Sequence, residues 1–281
     1  MSEFREAINW FRWHFVPIRR IPKLIGFLSI RCIRSLLVNK AEYLDVPDVS
    51  ELNQLGFEIC NVALDKPDLK LLQQSAKERA NSFGFEKLKN VPFVDLLTYD
   101  DFRNPLNPFI QFAFSEHVLP KAVAYFKGKP RLLHVALNLS LPMTNNKLIE
   151  SQLWHVDFDD SKLLRVVLYL SDVDESAGPF TLVSKLTSRR IRSLLFVQRL
   201  TDQMLEKKVQ SSEKLCAIGK SGTLLFVDTA NCFHQGSRCT KARLALFITF
   251  STQSPANELS ANLPSCRQNM LRLYGAKFSP P

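Results

Sequence analysis

Residues 243–251 read RLALFITFS, from Arg243 to Ser251. In an extended chain, successive side chains point to opposite faces. One face would then carry Leu244, Leu246, Ile248 and Phe250, an unbroken apolar row, and the other Arg243, Ala245, Phe247 and Thr249. Five further stretches share this texture of Val, Leu, Ile and Phe bounded by turn residues. They are RLLHVALNLSL (131–141), SQLWHVDF (151–158), LRVVLYLSDV (164–173), PFTLV (179–183) and GTLLFVD (222–228). Short strands at this spacing predict a sandwich or a barrel-like jelly roll. The expected fold is mainly β with flanking helices, its core strands lying at about 131–252. One helical insertion is expected at 186–209 (LTSRRIRSLLFVQRLTDQMLEKKV).

The rest of the chain frames this core. Its 281 residues are 46% hydrophobic and 23% charged, with 21 phenylalanines, a composition that can fill a packed interior. The net charge of +10 is unevenly placed: residues 1–40 hold eight basic residues against Glu3 and Glu6, six of the ten net charges. The body is therefore close to balanced, and no nucleic-acid surface is expected on it. Residues 1–43 read as a basic amphipathic extension and 44–281 as the main domain, with a helical N-terminal part. Within 1–40, cationic side chains beside Trp and Phe suit either an anionic membrane surface or an apolar stripe packed on the body. The uncharged apolar run Leu24–Ile30 is far short of the ~20 residues that span a bilayer. Six cysteines without a CxxC pair or a short hydrophobic leader read as reduced thiols, so a cytoplasmic location is expected, with peripheral membrane contact as its variant. Residues 44–56 read as linker and turn, and 68–83 as a helix with Asp68 near its start. Residues 93–127 read as helical segments broken at Asn104-Pro105 and Asn107-Pro108. No oligomeric state follows from the sequence.

The chemistry centres on WHVDFDD (154–160). On a strand, His155 and Asp157 would share a face and aim an imidazole and a carboxylate at one point. That supplies two donors of the 2-His-1-carboxylate arrangement, although a His-x-Asp pair alone is common. The other histidines are His14, His117, His134 and His234. His14 lies in the basic extension, His117 in an expected helix, and His134 on an expected strand, where a core histidine is the plainer reading. His234 follows GTLLFVD in the turn-rich stretch DTANCFHQGS, ground suited to a ligand at a barrel mouth. Arg243 either faces solvent at an edge or points into a cavity, where a buried guanidinium requires an anion such as a dicarboxylate. Cys232 and Cys239 flank His234, but zinc sites of that kind want closely spaced thiolates and a softer donor set. Asp159 and Asp160 read as loop-capping acids, or as acceptors orienting His155 or an arginine. Trp154 reads as core, Asp228-Thr229 as the turn before His234, and Asn138 and Arg165 as cavity-lining polar groups on neighbouring strands.

Taken together, WHVDFDD, LYLSDVDESAGPFTLV and GKSGTLLFVDTANCFHQG, with Arg243 nine positions after His234, resemble successive blocks of the phytanoyl-CoA dioxygenase-like family of Fe(II)/2-oxoglutarate oxygenases. The resemblance covers roughly residues 130–252. It implies a double-stranded β-helix of the cupin-like, jelly-roll type, with His155, Asp157 and His234 as iron ligands and catalytic residues. Arg243 would be the 2-oxoglutarate-binding arginine. The implied activity is a dioxygenase reaction: with O2, a small organic or lipid-like molecule is hydroxylated and succinate and CO2 are released. A carboxylate at Asp157 favours hydroxylation over halogenation, because halogenases of the superfamily carry a small residue there. One departure is visible: where the family commonly has Pro-Gly-Ser-His after PFTLV, this chain has Ser184-Lys185-Leu186-Thr187. The competing expectation is a non-catalytic metal-binding or membrane-surface scaffold on the same fold.

Overall fold

In the computed structural model, which describes residues 47–61, 66–83, 91–104, 106–142, 148, 150–157, 159–191 and 199–252, the chain starts with helix α1 (Ser50–Leu55), strand β1 (Phe57–Asn61) and helix α2 (Lys66–Ser82). Strand β2 (Phe93–Asp95) and helices α3 (Tyr99–Arg103), α4 (Pro108–Phe112) and α5 (Leu119–Phe126) follow. The β core then runs through β3 (Arg131–Ser140), β4 (Trp154–His155), β5 (Leu163–Tyr169) and β6 (Phe180–Val183). After helix α6 (Lys185–Ile191) come β7 (Arg199–Leu200), helix α7 (Asp202–Glu206), β8 (Lys214–Ala217), β9 (Thr223–Val227), β10 (His234–Gln235) and β11 (Arg243–Ser251). The extension expected at 1–43, with His14, lies outside the described residues.

Two antiparallel sheets result: six strands in the order β1-β9-β5-β11-β3-β2, and five in the order β7-β4-β10-β6-β8. This is the expected jelly roll. β11 lies between β5 and β3 and is buried along its whole length. Its two faces divide as the alternation predicts. Leu244, Leu246, Ile248 and Phe250 join Leu137, Val166, Leu168 and Phe226 in a core covered by the helices, among them Leu72 and Ala76 of α2, Phe109 of α4 and Ala122 of α5. Ala245 and Phe247 face the second sheet, packing with Val167, Tyr169, Leu182 and Leu225. The hydroxyl of Tyr169 links the sheets: it donates to the Ala217 carbonyl at 2.8 Å and accepts from the Phe180 amide at 3.0 Å.

Local chemistry sets the helix starts. The side chain of Asn107 accepts from the Phe109 amide at 3.0 Å and Pro108 occupies the first turn, so the expected break is a cap opening α4. Thr98 and Asp101 form a capping box at α3, and Arg79 of α2 pairs with Asp101.

Four expectations are corrected. The linker expected at 44–56 contains α1, followed at once by β1, which extends the large sheet beside β9 in a register running from Phe57↔Val227 to Asn61↔Thr223. Gly56, at φ 85°, makes that sharp join. In the helical insertion expected at 186–209, the described residues form two short helices and, between them, β7, because Arg199–Leu200 finds an edge on β4 to pair with. Asn138 and Arg165 stand on strands separated by β11, not on neighbouring ones. His117 lies in the turn before α5, not in a helix.

Leu246→Ala, at the fully buried centre of β11, should lower unfolding free energy by about 2–5 kcal/mol. Leu106→Ala, on the surface, should change it by less than about 0.5 kcal/mol. Denaturant midpoints of the two variants check this.

Candidate metal centre

The smaller sheet brings the sequence-distant histidines together. β10 pairs antiparallel with β4 so that His234 stands opposite His155. Their ring centroids are 4.3 Å apart. The strand of the first histidine is only two residues long, so Asp157 lies just past its end and the same-face argument of a longer strand does not apply. A backbone bond does the work instead: the Asp157 amide donates to the Thr229 carbonyl at 2.9 Å. Oδ1 of Asp157 is 3.7 Å from Nε2 of His155 and 3.9 Å from Nε2 of His234. One donor atom from each of the three residues lies within 4.8 Å of the others, a cluster that can hold a metal ion.

Each imidazole is oriented by its other nitrogen. Nδ1 of His155 lies 2.8 Å from the Leu153 carbonyl and Nδ1 of His234 3.0 Å from the Cys232 carbonyl. A carbonyl only accepts, so both Nδ1 atoms carry the proton and both Nε2 lone pairs face the cluster. Nε2 of His234 is buried without a hydrogen-bond partner among the described residues. Phe180 stacks on that ring at 5.4 Å between centroids.

Electrostatics favour the ligand forms. Burial lowers the His234 pKa to about 3, and the neighbouring His155 adds to the effect. Burial also lowers His155, with Asp157 opposing. Burial alone would raise the Asp157 carboxyl, but Arg165 first and then the two histidines outweigh it and hold the carboxyl well below the usual range. Nη2 of Arg165 lies 2.9 Å from Oδ2 of Asp157, an ion pair. At neutral pH the site therefore offers two neutral imidazoles and one carboxylate.

Arg243 is buried, 3% exposed, on the face of β11 that looks between the sheets. Its Nη1 donates to the Gly178 carbonyl and its Nη2 to Ser140 Oγ at 3.3 Å, while Nε has no partner. The guanidinium lies 5.9 Å from the ring centroids of both Tyr169 and Phe247. Burial lowers its pKa, and it has no carboxylate partner among the described residues. Gly178 has to be glycine: it sits at φ 65°, and a Cβ there would come within 2.9 Å of the amide nitrogens of Arg238 and Cys239. Arg238 is committed elsewhere, donating to the Gln152 carbonyl at 2.6 and 2.9 Å and to Asp202 at 2.7 Å.

The remaining sequence-stretch residues take structural places. Asp160 caps the loop, accepting from the Ser161 amide at 2.7 Å and the Thr252 amide at 2.9 Å; Asp159 is buried. Trp154 is core, its indole donating to Asp202 at 2.9 Å. The Asp228 carbonyl accepts from the Asn231 and Cys232 amides and so shapes the turn before His234. Cys60, Cys216, Cys232 and Cys239 are free thiols, and none belongs to a metal-type cluster among the described residues. Ser184 caps α6 through the Thr187 amide at 3.2 Å, and Lys185 pairs with Asp228 at 3.4 Å, so the Ser184–Thr187 stretch serves the turn.

Two neighbours of the cluster were undervalued in the sequence. Arg165 had been no more than a cavity-lining group; it contacts the carboxylate itself. Its signal was a lone cation inside LLRVVLY. His134, read as core, lines the inner face opposite Thr249, which in turn stands opposite Arg165. Burial, and then Arg165, lower its pKa to about 4.

The fold is one that solved metal- and 2-oxoglutarate-binding proteins share. EctD from S. alaskensis with bound Fe superposes with a TM-score of 0.56 at 14% identity, covering 80% of this chain and 88% of that one. The same protein with 2-oxoglutarate and 5-hydroxyectoine gives 0.56 at 14%, covering 77% and 80%. HygX from Streptomyces hygroscopicus with nickel and 2-oxoglutarate gives 0.51 at 12%, covering 75% and 88%. No protein-family model matches this sequence, and no curated protein does. No described helix is long and apolar enough to cross a membrane.

His134 and His234 have pKa values below the ordinary 6.5 in the folded state, so the unfolded chain binds more protons between about pH 4 and 6.5. Stability of the metal-free protein should therefore fall as pH falls through that window, by up to about 1.4 kcal/mol per pH unit for each histidine. His134→Gln should remove its own share of this slope, as read from denaturant midpoints at several pH values.

Proposed function

We propose that the chain is a non-haem Fe(II)- and 2-oxoglutarate-dependent dioxygenase of the phytanoyl-CoA dioxygenase-like kind, hydroxylating a small organic or lipid-like molecule. The observation that carries this reading is the convergence of two imidazole Nε2 atoms and one carboxylate Oδ1 within 4.8 Å. The fit is chemical as well as geometric. The orphaned, buried Nε2 of His234 needs a partner, and two imidazoles with one carboxylate are the donor set of the facial triad. The buried Arg243, with no carboxylate partner among the described residues, supports the second half of the reading: a dicarboxylate cosubstrate would bring an anion to it.

When bound, iron with 2-oxoglutarate and dioxygen supplies oxidation of an unactivated C–H bond, the cosubstrate leaving as succinate and CO2. The chain's own residues do the rest. His155, Asp157 and His234 would hold the ion, each through one donor atom. The Leu153 and Cys232 carbonyls keep both imidazoles in the tautomer that binds metal. Arg243 takes the far carboxylate, its fork positioned by the Gly178 carbonyl and Ser140. Phe180, Tyr169 and Phe247 belong to one buried apolar cluster, Phe180 stacked on the His234 ring and the other two beside the Arg243 guanidinium. The carboxylate at Asp157 favours hydroxylation over halogenation, since no position is left for halide in its place.

Asp157→Ala should abolish succinate formation from 2-oxoglutarate under Fe(II) and oxygen; wild-type turnover in that variant would remove the carboxylate from the reaction. Arg243→Met should raise KM for 2-oxoglutarate at least ~10-fold. It should also erase the preference for 2-oxoglutarate over 2-oxobutyrate, which lacks the far carboxylate. A preserved preference would defeat the assignment of Arg243.

A further inference from the structure

We propose that Arg165 is the positioning residue of the metal centre: by holding Oδ2 of Asp157, it leaves Oδ1 as the single carboxylate atom offered to a bound ion. The two oxygens are already divided between partners. Oδ2 lies 2.9 Å from Nη2 of Arg165. Oδ1 is the atom that stands 3.7 and 3.9 Å from the two imidazole Nε2 atoms. The division has a coordination consequence. A carboxylate that binds through both oxygens takes two of the six positions of an octahedral ion, and two imidazoles then leave two open. Bound through one oxygen, it leaves three, enough for a chelating 2-oxo acid and one further ligand.

The placement of Arg165 suits this task. Its Cα lies in mid-sheet on β5, opposite Thr249 of β11 on one side and Val227 of β9 on the other. The guanidinium thus reaches from the large, well-buried sheet to a residue just beyond a two-residue strand of the small one. The Asp157 backbone is already fixed by the Thr229 carbonyl; only the carboxylate torsion remains, and the Arg165 contact restrains it. Two effects oppose each other. The cation repels a divalent ion, which alone would weaken binding. Orientation of the donor atom favours binding, and outer partners of this kind are commonly worth 10–100-fold in metal affinity. The inference is that orientation wins, so removal of Arg165 weakens the site.

The test titrates Co(II), followed by 2-oxoglutarate, into metal-free wild type, Arg165→Lys and Arg165→Met, reading ligand-field absorption and Kd. Arg165→Met should bind Co(II) about 10–100-fold more weakly, with an altered spectrum and weakened binding of 2-oxoglutarate to the Co(II)-loaded protein. Arg165→Lys, which can still place a cation on Oδ2, should return to within about threefold of wild type and to its spectrum. Equal or tighter Co(II) binding by Arg165→Met would overturn the proposal. So would weaker binding with a wild-type spectrum, because the carboxylate would then be unturned. If Arg165→Met does not fold, Arg165→Gln carries the same expectations. The proposal rests on the metal-site reading, and the two fail differently: wild type that binds no Co(II) defeats that reading itself.

Discussion

His234 stands directly across an antiparallel strand pair from His155, and the rest of the site is arranged around that pairing. β4 and β10 are two residues each, too short to be stable alone. They persist because β6 and β7 flank them and because Tyr169 ties β6 and β8 to the large sheet. The long strands thus supply the stability, and the short ones spend it on geometry. Two imidazole lone pairs and a carboxylate face one another in a desolvated space, an arrangement that costs free energy in the folded chain. Such local cost at a site supported by a well-packed scaffold is the usual physical mark of function.

The electrostatics follow the same plan. His155, Asp157 and His234 are each shifted toward the form that ligates a metal. Both imidazoles become harder to protonate, while Asp157 stays ionised because Arg165 compensates its charge. The second cation, Arg243, is buried with carbonyl, hydroxyl and ring partners but no carboxylate among the described residues. Arg238, five positions before Arg243, already has Asp202 as its partner. The two arginines differ in what they lack, and the role proposed for Arg243 follows from that difference.

Several features could be read without coordinates. The alternation of RLALFITFS gives β11 and its two faces, because a strand covered on one side by helices must be uniformly apolar there. His155 and Asp157 could be paired by their spacing, and His234 and Arg243 joined to them because the blocks that hold all four resemble, in order, those of a known oxygenase family. Other features were hidden for identifiable reasons. β1 and β7 are strands only because β9 and β4 offer edges to them, and a two- or five-residue segment carries too little periodicity to reveal itself. Asp157 was expected on the strand of His155, yet it is placed by a hydrogen bond to Thr229, a residue far away in sequence.

The amino-acid order by itself determined the chemical inventory: which side chains can ligate a metal, which strand faces are apolar, and where a guanidinium must meet an anion or face water. Tertiary structure alone decided the distances, and with them the division of labour between the two oxygens of Asp157. That division requires Arg165, on a different sheet from His155 and His234, to arrive within 2.9 Å of one oxygen and leave the other toward the imidazoles. Side-chain alternation is a property of one strand and is written along it. Convergence is a property of how two sheets stack, and no single segment contains it.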